Sequence, residues 1–182
     1  MLLQEQYILS LLQKFGLENI NPVQMPLDTS VRLSKNMPSV KTAPNNQDQQ
    51  EYQDFPYQSI VGSLMHAAVM TRPNIAHAVQ QVTQFMSNPQ PAHCATVKRI
   101  ICYLHGTANF QLTYGPDCDS QVIAYCDADF VNDPDTQKSI SRFAFMLNGG
   151  CFAWSSKKQT TVLLSTAEAE YISAVHAAKT VT

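Results

Sequence analysis

Apolar residues recur at helical spacing over residues 4–15, where Tyr7, Ile8, Leu11, Leu12 and Phe15 share one face and Gly16 follows as a stop signal. The pattern then lapses. From residue 21 to about 54 the chain is polar, with Pro22, Pro26, Pro38 and Pro44 and the run Asn45-Asn46-Gln47-Asp48-Gln49-Gln50. Such a composition buries little surface and predicts a linker or loop. Helical spacing returns three times. Tyr57, Ile60, Val61, Leu64, Met65 and Ala68 line the first helix, and Ile75, Val79, Val82 and Met86 the second, with Pro73 in its first turn. Val97, Ile100, Ile101 and Leu104 line the third, which opens at Pro91 and ends near Gly106. The short connections favour antiparallel packing.

Beyond residue 109 the period changes to that of strands. Residues 110–114 form a weak candidate and 121–130 a strong one. Phe143, Phe145 and Leu147 alternate with Ala144 and Met146, a strand apolar on both faces. Asn148-Gly149-Gly150 suits a tight turn needing positive φ, and residues 151–155 return as the hairpin partner, extended by 160–164. Ser165 and Glu168 match a capping box that starts a helix running to about Lys179, with Ala167, Tyr171, Ala174, Val175 and Ala178 as its expected core stripe. Three strands and a helix do not close a sheet. The strand over residues 122–130 is left with an unpaired edge, which invites self-association.

Composition narrows the class. The 182 residues are 45% hydrophobic and 14% charged, with a net charge of −2 and a pI near 6.2. A chain that size holds one medium domain or two small ones. A free-standing nucleic-acid binder carries a basic excess, so any cationic surface here must be local. Five cysteines without a CxxC pair argue against a zinc ribbon or redox dithiol and suit reduced thiols inside a cell. Cys102 and His105 stand three apart on one helix, but no second pair at metal spacing accompanies them. The start lacks the basic and apolar regions of a signal peptide, and no apolar run reaches a membrane-spanning length.

The candidate chemistry is carboxylate chemistry. Ile123, Tyr125, Asp127 and Asp129 share a strand face by the two-residue period, and Glu170 lies early in the last helix. A strand carboxylate is costly unless solvated, paired or bound to a cation. Hard oxygen ligands of this type suit Mg²⁺, and two such ions support phosphodiester hydrolysis. The plainer alternative stays open: Asp127 and Asp129 simply end a strand, and Glu170 is a first-turn acid favoured by the helix dipole. Lys98, Arg99 and His105 fall on the side of the third helix away from its apolar stripe, with Tyr103 nearby. Lys157 and Lys158 fall in the turn after Trp154. Both sets can touch nucleic-acid phosphate or can be ordinary solvated surface.

The motifs themselves bear a resemblance. Tyr57-Gln58-Ser59-Ile60-Val61-Gly62-Ser63-Leu64-Met65, Thr71-Arg72-Pro73-Asn74-Ile75-Ala76, Phe85-Met86-Ser87-Asn88-Pro89 and Tyr103-Leu104-His105-Gly106-Thr107 occur in this order. Ala128-Asp129-Phe130, Gln137-Lys138-Ser139, Trp154-Ser155-Ser156-Lys157-Lys158-Gln159 and Ser165-Thr166-Ala167-Glu168-Ala169-Glu170-Tyr171 follow. Together they resemble the Pol polyprotein of Ty1/copia-type LTR retrotransposons, over nearly the whole chain outside about residues 32–54. The resemblance implies an α+β organisation: residues 1–31 as the end of the reverse-transcriptase region, 32–54 as a polar linker, and 55–109 as a thumb-like helical connection. Residues 110–182 then form the N-terminal half of an RNase H-like domain, three antiparallel strands and the first helix. Asp127 then matches the first catalytic Asp and Glu170 the catalytic Glu, both Mg²⁺ ligands in a completed domain, whereas Asp129 matches no ligand.

The same resemblance implies RNA–DNA hybrid or template–primer and the remaining Pol segments as partners. Lys98, Arg99, Lys157 and Lys158 become the candidate contacts to nucleic acid. The expected location is cytoplasmic, within a virus-like particle in the parent, or nuclear, with no membrane involved. The paired catalytic aspartates of the polymerase palm are absent, and the further RNase H aspartates are expected beyond Thr182. These 182 residues are therefore expected to lack turnover alone. Arg142 stands where the family often has Gly.

Overall fold

The computed structural model describes residues 1–37, 54–115 and 121–181. They form two compact units, one of Leu3–Gln111 and one of Met1–Leu2 with Leu112–Thr182. Five α-helices and two small sheets make a mixed α and β protein among the described residues, consistent with the α+β class. The two-residue strands β1 (Leu2–Leu3) and β2 (Gln111–Leu112) pair with each other. The weak strand candidate over 110–114 thus shrinks to two residues.

The first unit is helical: α1 (Glu5–Lys14), α2 (Tyr57–Met70), α3 (Ala76–Thr83) and α4 (Pro91–Gly106). Gly16 ends α1 as its composition suggests. It adopts φ +65°, and the N–H groups of Gly16 and Leu17 donate to the carbonyls of Gln13 and Leu12 at 3.2 and 2.9 Å. Pro73 opens a 3₁₀ turn, Pro73–Ile75, and the α-helix begins only at Ala76. The core joins Ile8, Leu12, Ile60, Leu64, Ile75, Val82, Ile100 and Leu104. Leu33 joins it too, 7% exposed, although its segment is too polar to suggest a core contact. The rest of the expected linker, residues 38–53, lies outside the described residues.

Two buried polar side chains tie this unit together. His93 is fully buried and stacks on Phe85 at 3.9 Å between centroids. Its Nδ1 accepts the Gln90 N–H at 2.9 Å, so its Nε2 carries the proton that reaches the Ser34 carbonyl at 3.1 Å. One imidazole thus caps α4 and anchors the incoming chain. Arg72 is 1% exposed, and its guanidinium donates to the Thr107 carbonyl at 2.6 Å, to the Thr107 hydroxyl and to the Phe110 carbonyl at 3.3 Å. Burial lowers its pKa, because the charged form loses hydration. Through this fork the end of α2 holds the end of α4.

In the second unit, β3 (Ile123–Asp129), β4 (Ile140–Leu147) and β5 (Gly150–Lys158) form an antiparallel sheet in the order β3-β4-β5, and α5 (Thr166–Val181) follows. Asn148 and Gly149 turn the β4–β5 hairpin at φ 49° and 77°. Gly150 is required for space instead: a Cβ there would stand 2.6 Å from the Thr113 carbonyl oxygen. β5 runs to Lys158, and residues 160–164 form no strand, because β4 offers no partner beyond its pairing of Ile140 with Lys158.

The start of α5 is capped as expected on one side, with the Ser165 hydroxyl accepting the Glu168 N–H at 3.2 Å. The Glu168 carboxylate reaches back to the N–H of Leu164 rather than that of Ser165, at 3.1 Å. The expected core stripe of α5 is rotated. Ala169, Ser173 and Ala177 are buried, whereas Tyr171 is 72% exposed. Small side chains let the helix backbone lie close on the sheet, and the large ring of Tyr171 is turned outward.

Candidate functional site

Register decides which side chains share a face of this sheet. Asp127 lies opposite Arg142, and Arg142 opposite Ser156; Cys126 lies opposite Phe143, and Phe143 opposite Ser155. Phe143 and Phe145 pack with Ala177 of α5, and Phe143 meets His176 at 5.5 Å between centroids. By alternation the helix covers the Phe143 face, and Asp127, Asp129 and Arg142 belong to the other. The Ser173 hydroxyl donates to the Asp127 carbonyl at 2.7 Å and stands 3.3 Å from that of Arg142. This contact sets α5 directly over the middle of β3 and β4.

Asp127, Asp129 and Arg142 make one charge cluster. The Arg142 Nη2 lies 2.8 Å from the Asp129 Oδ2, and its Nε lies 3.5 Å from the Asp127 Oδ2. Asn132 adds a hydrogen bond to the same Asp129 oxygen at 2.5 Å. The side chain of Asp127 remains 62% exposed, so its pairing is open to water. Glu170 is exposed on α5, and its carboxylate makes no hydrogen bond or ion pair among the described residues. The structure therefore joins Asp127 to Asp129 and Arg142, and no described contact joins it to Glu170. Among the described residues no group of three or more His, Cys, Asp or Glu side chains is placed to hold a metal ion.

Tested against Mg²⁺, these residues fit poorly. A hard divalent cation needs several converging oxygens, and here the nearest cation to both strand carboxylates is a guanidinium of the chain itself. Periodicity had no means to find this contact. It depends on the cross-strand register that sets Arg142 opposite Asp127.

The candidate phosphate contacts are differently placed than expected. Lys157 and Lys158 sit in β5, not in a turn, so they project to opposite faces. Lys158 Nζ lies 2.7 Å from the Asp133 Oδ2, and this carboxylate is 5% exposed. Burial raises the Asp133 pKa, but the hydrogen bonds from Lys158 and Thr136 and the Lys158 charge outweigh it, so the net shift is downward. Lys157 is exposed and lines a cavity of about 160 Å³ with Ser141, Gln159, Ile172 and His176.

On α4 the cationic side chains are half-buried rather than forming a solvated face. Lys98 Nζ stands 5.6 Å from the centre of the Phe55 ring, and Arg99 lies 3.8 Å from Asp28. His105 Nδ1 lies 3.1 Å from the Ile20 carbonyl, and Tyr103 is buried, where it receives a hydrogen bond from Asn74 at 2.6 Å. The segment before residue 37 wraps this helix, which its own periodicity cannot reveal.

Relatives give the family. The chain is 43% identical over 177 residues to the retrovirus-related Pol polyprotein from transposon TNT 1-94 of Nicotiana tabacum, across 97% of this chain. It is 36% identical over 168 residues to the corresponding Pol polyprotein from transposon RE1 of Arabidopsis thaliana, across 92% of this chain. The chain belongs to the copia-type retrotransposon Pol polyproteins. It spans 13% of the length of the TNT 1-94 polyprotein and 11% of that of RE1, so it matches one piece of a Pol polyprotein. It is also 42% identical over 119 residues to secreted RxLR effector protein 161 of Plasmopara viticola, across 65% of this chain and 84% of that protein. No family model and no solved structure matches this Pol fragment. Among its described residues no helix is long and apolar enough to cross a membrane.

Proposed function

We propose that this Pol fragment carries the end of a reverse-transcriptase region and its helical connection, followed by the first half of an RNase H-like domain. The parent polyprotein copies RNA into DNA and cleaves the RNA of RNA–DNA hybrids. The observation that carries this reading is the β3-β4-β5 antiparallel sheet with α5 laid across it, an Asp in the middle of β3 and a Glu in the first turns of α5. On this reading Asp127 and Glu170 match the catalytic Asp and Glu, and a shared Mg²⁺ requires a completed domain that brings them together, since α5 covers the face away from the Asp127 side chain. The 182 residues alone are not catalytic, because Asp127 faces Arg142 and the acids do not gather into a cation-binding group. What remains to this piece is contact with nucleic acid and with other Pol segments, through Lys157 and the half-buried cations of α4.

The test uses the purified chain, a labelled RNA–DNA hybrid and Mg²⁺. No cleavage is expected; cleavage that disappears in both Asp127→Asn and Glu170→Gln would overturn the non-catalytic reading. Anisotropy of the same hybrid across a salt series reads the second part. Binding is expected to weaken with salt and to weaken further in Lys98→Ala with Arg99→Ala or in Lys157→Ala. Absent or salt-insensitive binding would leave a purely structural remnant.

A further inference from the structure

We infer that Arg142 is a built-in counter-cation that occupies the strand carboxylates Asp127 and Asp129 and excludes a divalent metal ion from them. The inference deepens the reading above, since it concerns the carboxylate assigned there to the first RNase H position. Three observations carry it. Register places Arg142 directly across from Asp127, and one guanidinium reaches both acids, at 3.5 and 2.8 Å. Arg142 Nε is shielded from solvent and makes no hydrogen bond, and the acceptor standing near it is the Asp127 carboxylate at 3.5 Å. Asn132 donates to the same Asp129 oxygen at 2.5 Å, so that oxygen already accepts from two side chains.

Charge and tethering both act in the same direction. The two carboxylates supply −2, and the guanidinium returns +1, so the cluster offers an incoming divalent ion a net −1 and a fixed positive neighbour. A guanidinium stays charged at every accessible pH and matches carboxylate geometry with its planar fork. Because it is part of the same chain, its effective concentration at the acids is on the order of millimolar or above. An external ion must displace it at that concentration. Removing a positive charge at this distance is expected to change cation affinity about tenfold or more.

The experiment is Mn²⁺ titration of the full chain without nucleic acid, read by calorimetry and by the loss of free-ion electron paramagnetic resonance signal. It is run on wild type, Arg142→Gln, Arg142→Lys and the double variant Arg142→Gln with Asp127→Asn. Wild type and Arg142→Lys are expected to show no saturable site, and Arg142→Gln to gain one whose affinity is at least about tenfold above residual wild-type binding. The double variant is expected to lose it again. Circular dichroism of each variant separates a lost fold from a lost site, and Arg142→Gly serves where the Gln variant does not fold.

A saturable Asp127-dependent site in wild type would overturn the inference, and so would folded Gln and Gly variants that gain nothing. The readout contains no hybrid. Failure of the non-catalytic, nucleic-acid-binding reading would appear instead in the hybrid cleavage and binding assays, with the Mn²⁺ result unchanged.

Discussion

Asp133 shows how a single carboxylate can be worth more to the fold than the better-known acids beside it. The Arg142 pairs are partly exposed and so contribute roughly 0–1 kcal/mol each to stability, however much they matter to a cation. Asp133 is buried, and Lys158 and Thr136 both donate to its Oδ2. Its folded pKa lies below 3.8, so the contribution is complete above that value and is lost as pH falls through the lower folded value. Stability measured by urea midpoint is therefore expected to drop on acidification below about pH 4. Asp133→Asn should cost about 1–3 kcal/mol at neutral pH and flatten that acid limb. An acid limb unchanged by the substitution would mean that this pair does not couple to folding.

Helix α5 is the element on which the site depends, and its seat on the sheet rests on Ser173. Ser173 is fully buried and links the helix to the backbone of β3 and β4 at the Asp127–Arg142 pair. Ser173→Ala is expected to cost about 1 kcal/mol for the lost hydrogen bond. Ser173→Leu should cost about 1–3 kcal/mol or more through overpacking, and should also raise hydrogen exchange along β3. Equal stability of the Leu variant and wild type would show that α5 does not approach the sheet this closely.

This contact also marks where the chain's own pattern stops being readable. Gly16 and the Asn148-Gly149 turn were legible because their signals are local backbone requirements, met within a few residues. The face of α5 was not. A hydrophobicity stripe favours Tyr171, whereas the sheet accepts the smallest side chains, and the distance between two elements is not written in either one alone. Lys157 and Lys158 were misplaced for a related reason, since the end of β5 follows from its pairing with Ile140. Asp127 and Glu170 were legible as candidates, but the Arg142 contact needed the register of both strands.

At the scale of the molecule, the second unit carries a large sheet on a small core. Phe143, Phe145 and Ala177 are its buried apolar cluster, a small set against the many that gather in the helical unit. Among the described residues β3 pairs on one side only, with β4, and no strand covers its other edge. Ile123 and Tyr125 on that strand, and Val122 just before it, are 50%, 61% and 52% exposed. Edge strands are ordinarily protected by charge, proline, bulges or a covering element, because a bare edge templates pairing with another chain. Asp127 and Asp129 supply charge at one end, but Arg142 offsets part of it, and the stretch from Val122 to Cys126 carries none.

The purified chain is therefore expected to self-associate through β3, with sedimentation velocity showing species that grow with concentration. Val122→Lys with Tyr125→Lys should return it to monomer without altering the helical unit, because like charges facing across a new strand pair repel. A monodisperse wild-type monomer across the whole concentration range would mean that the edge is already covered.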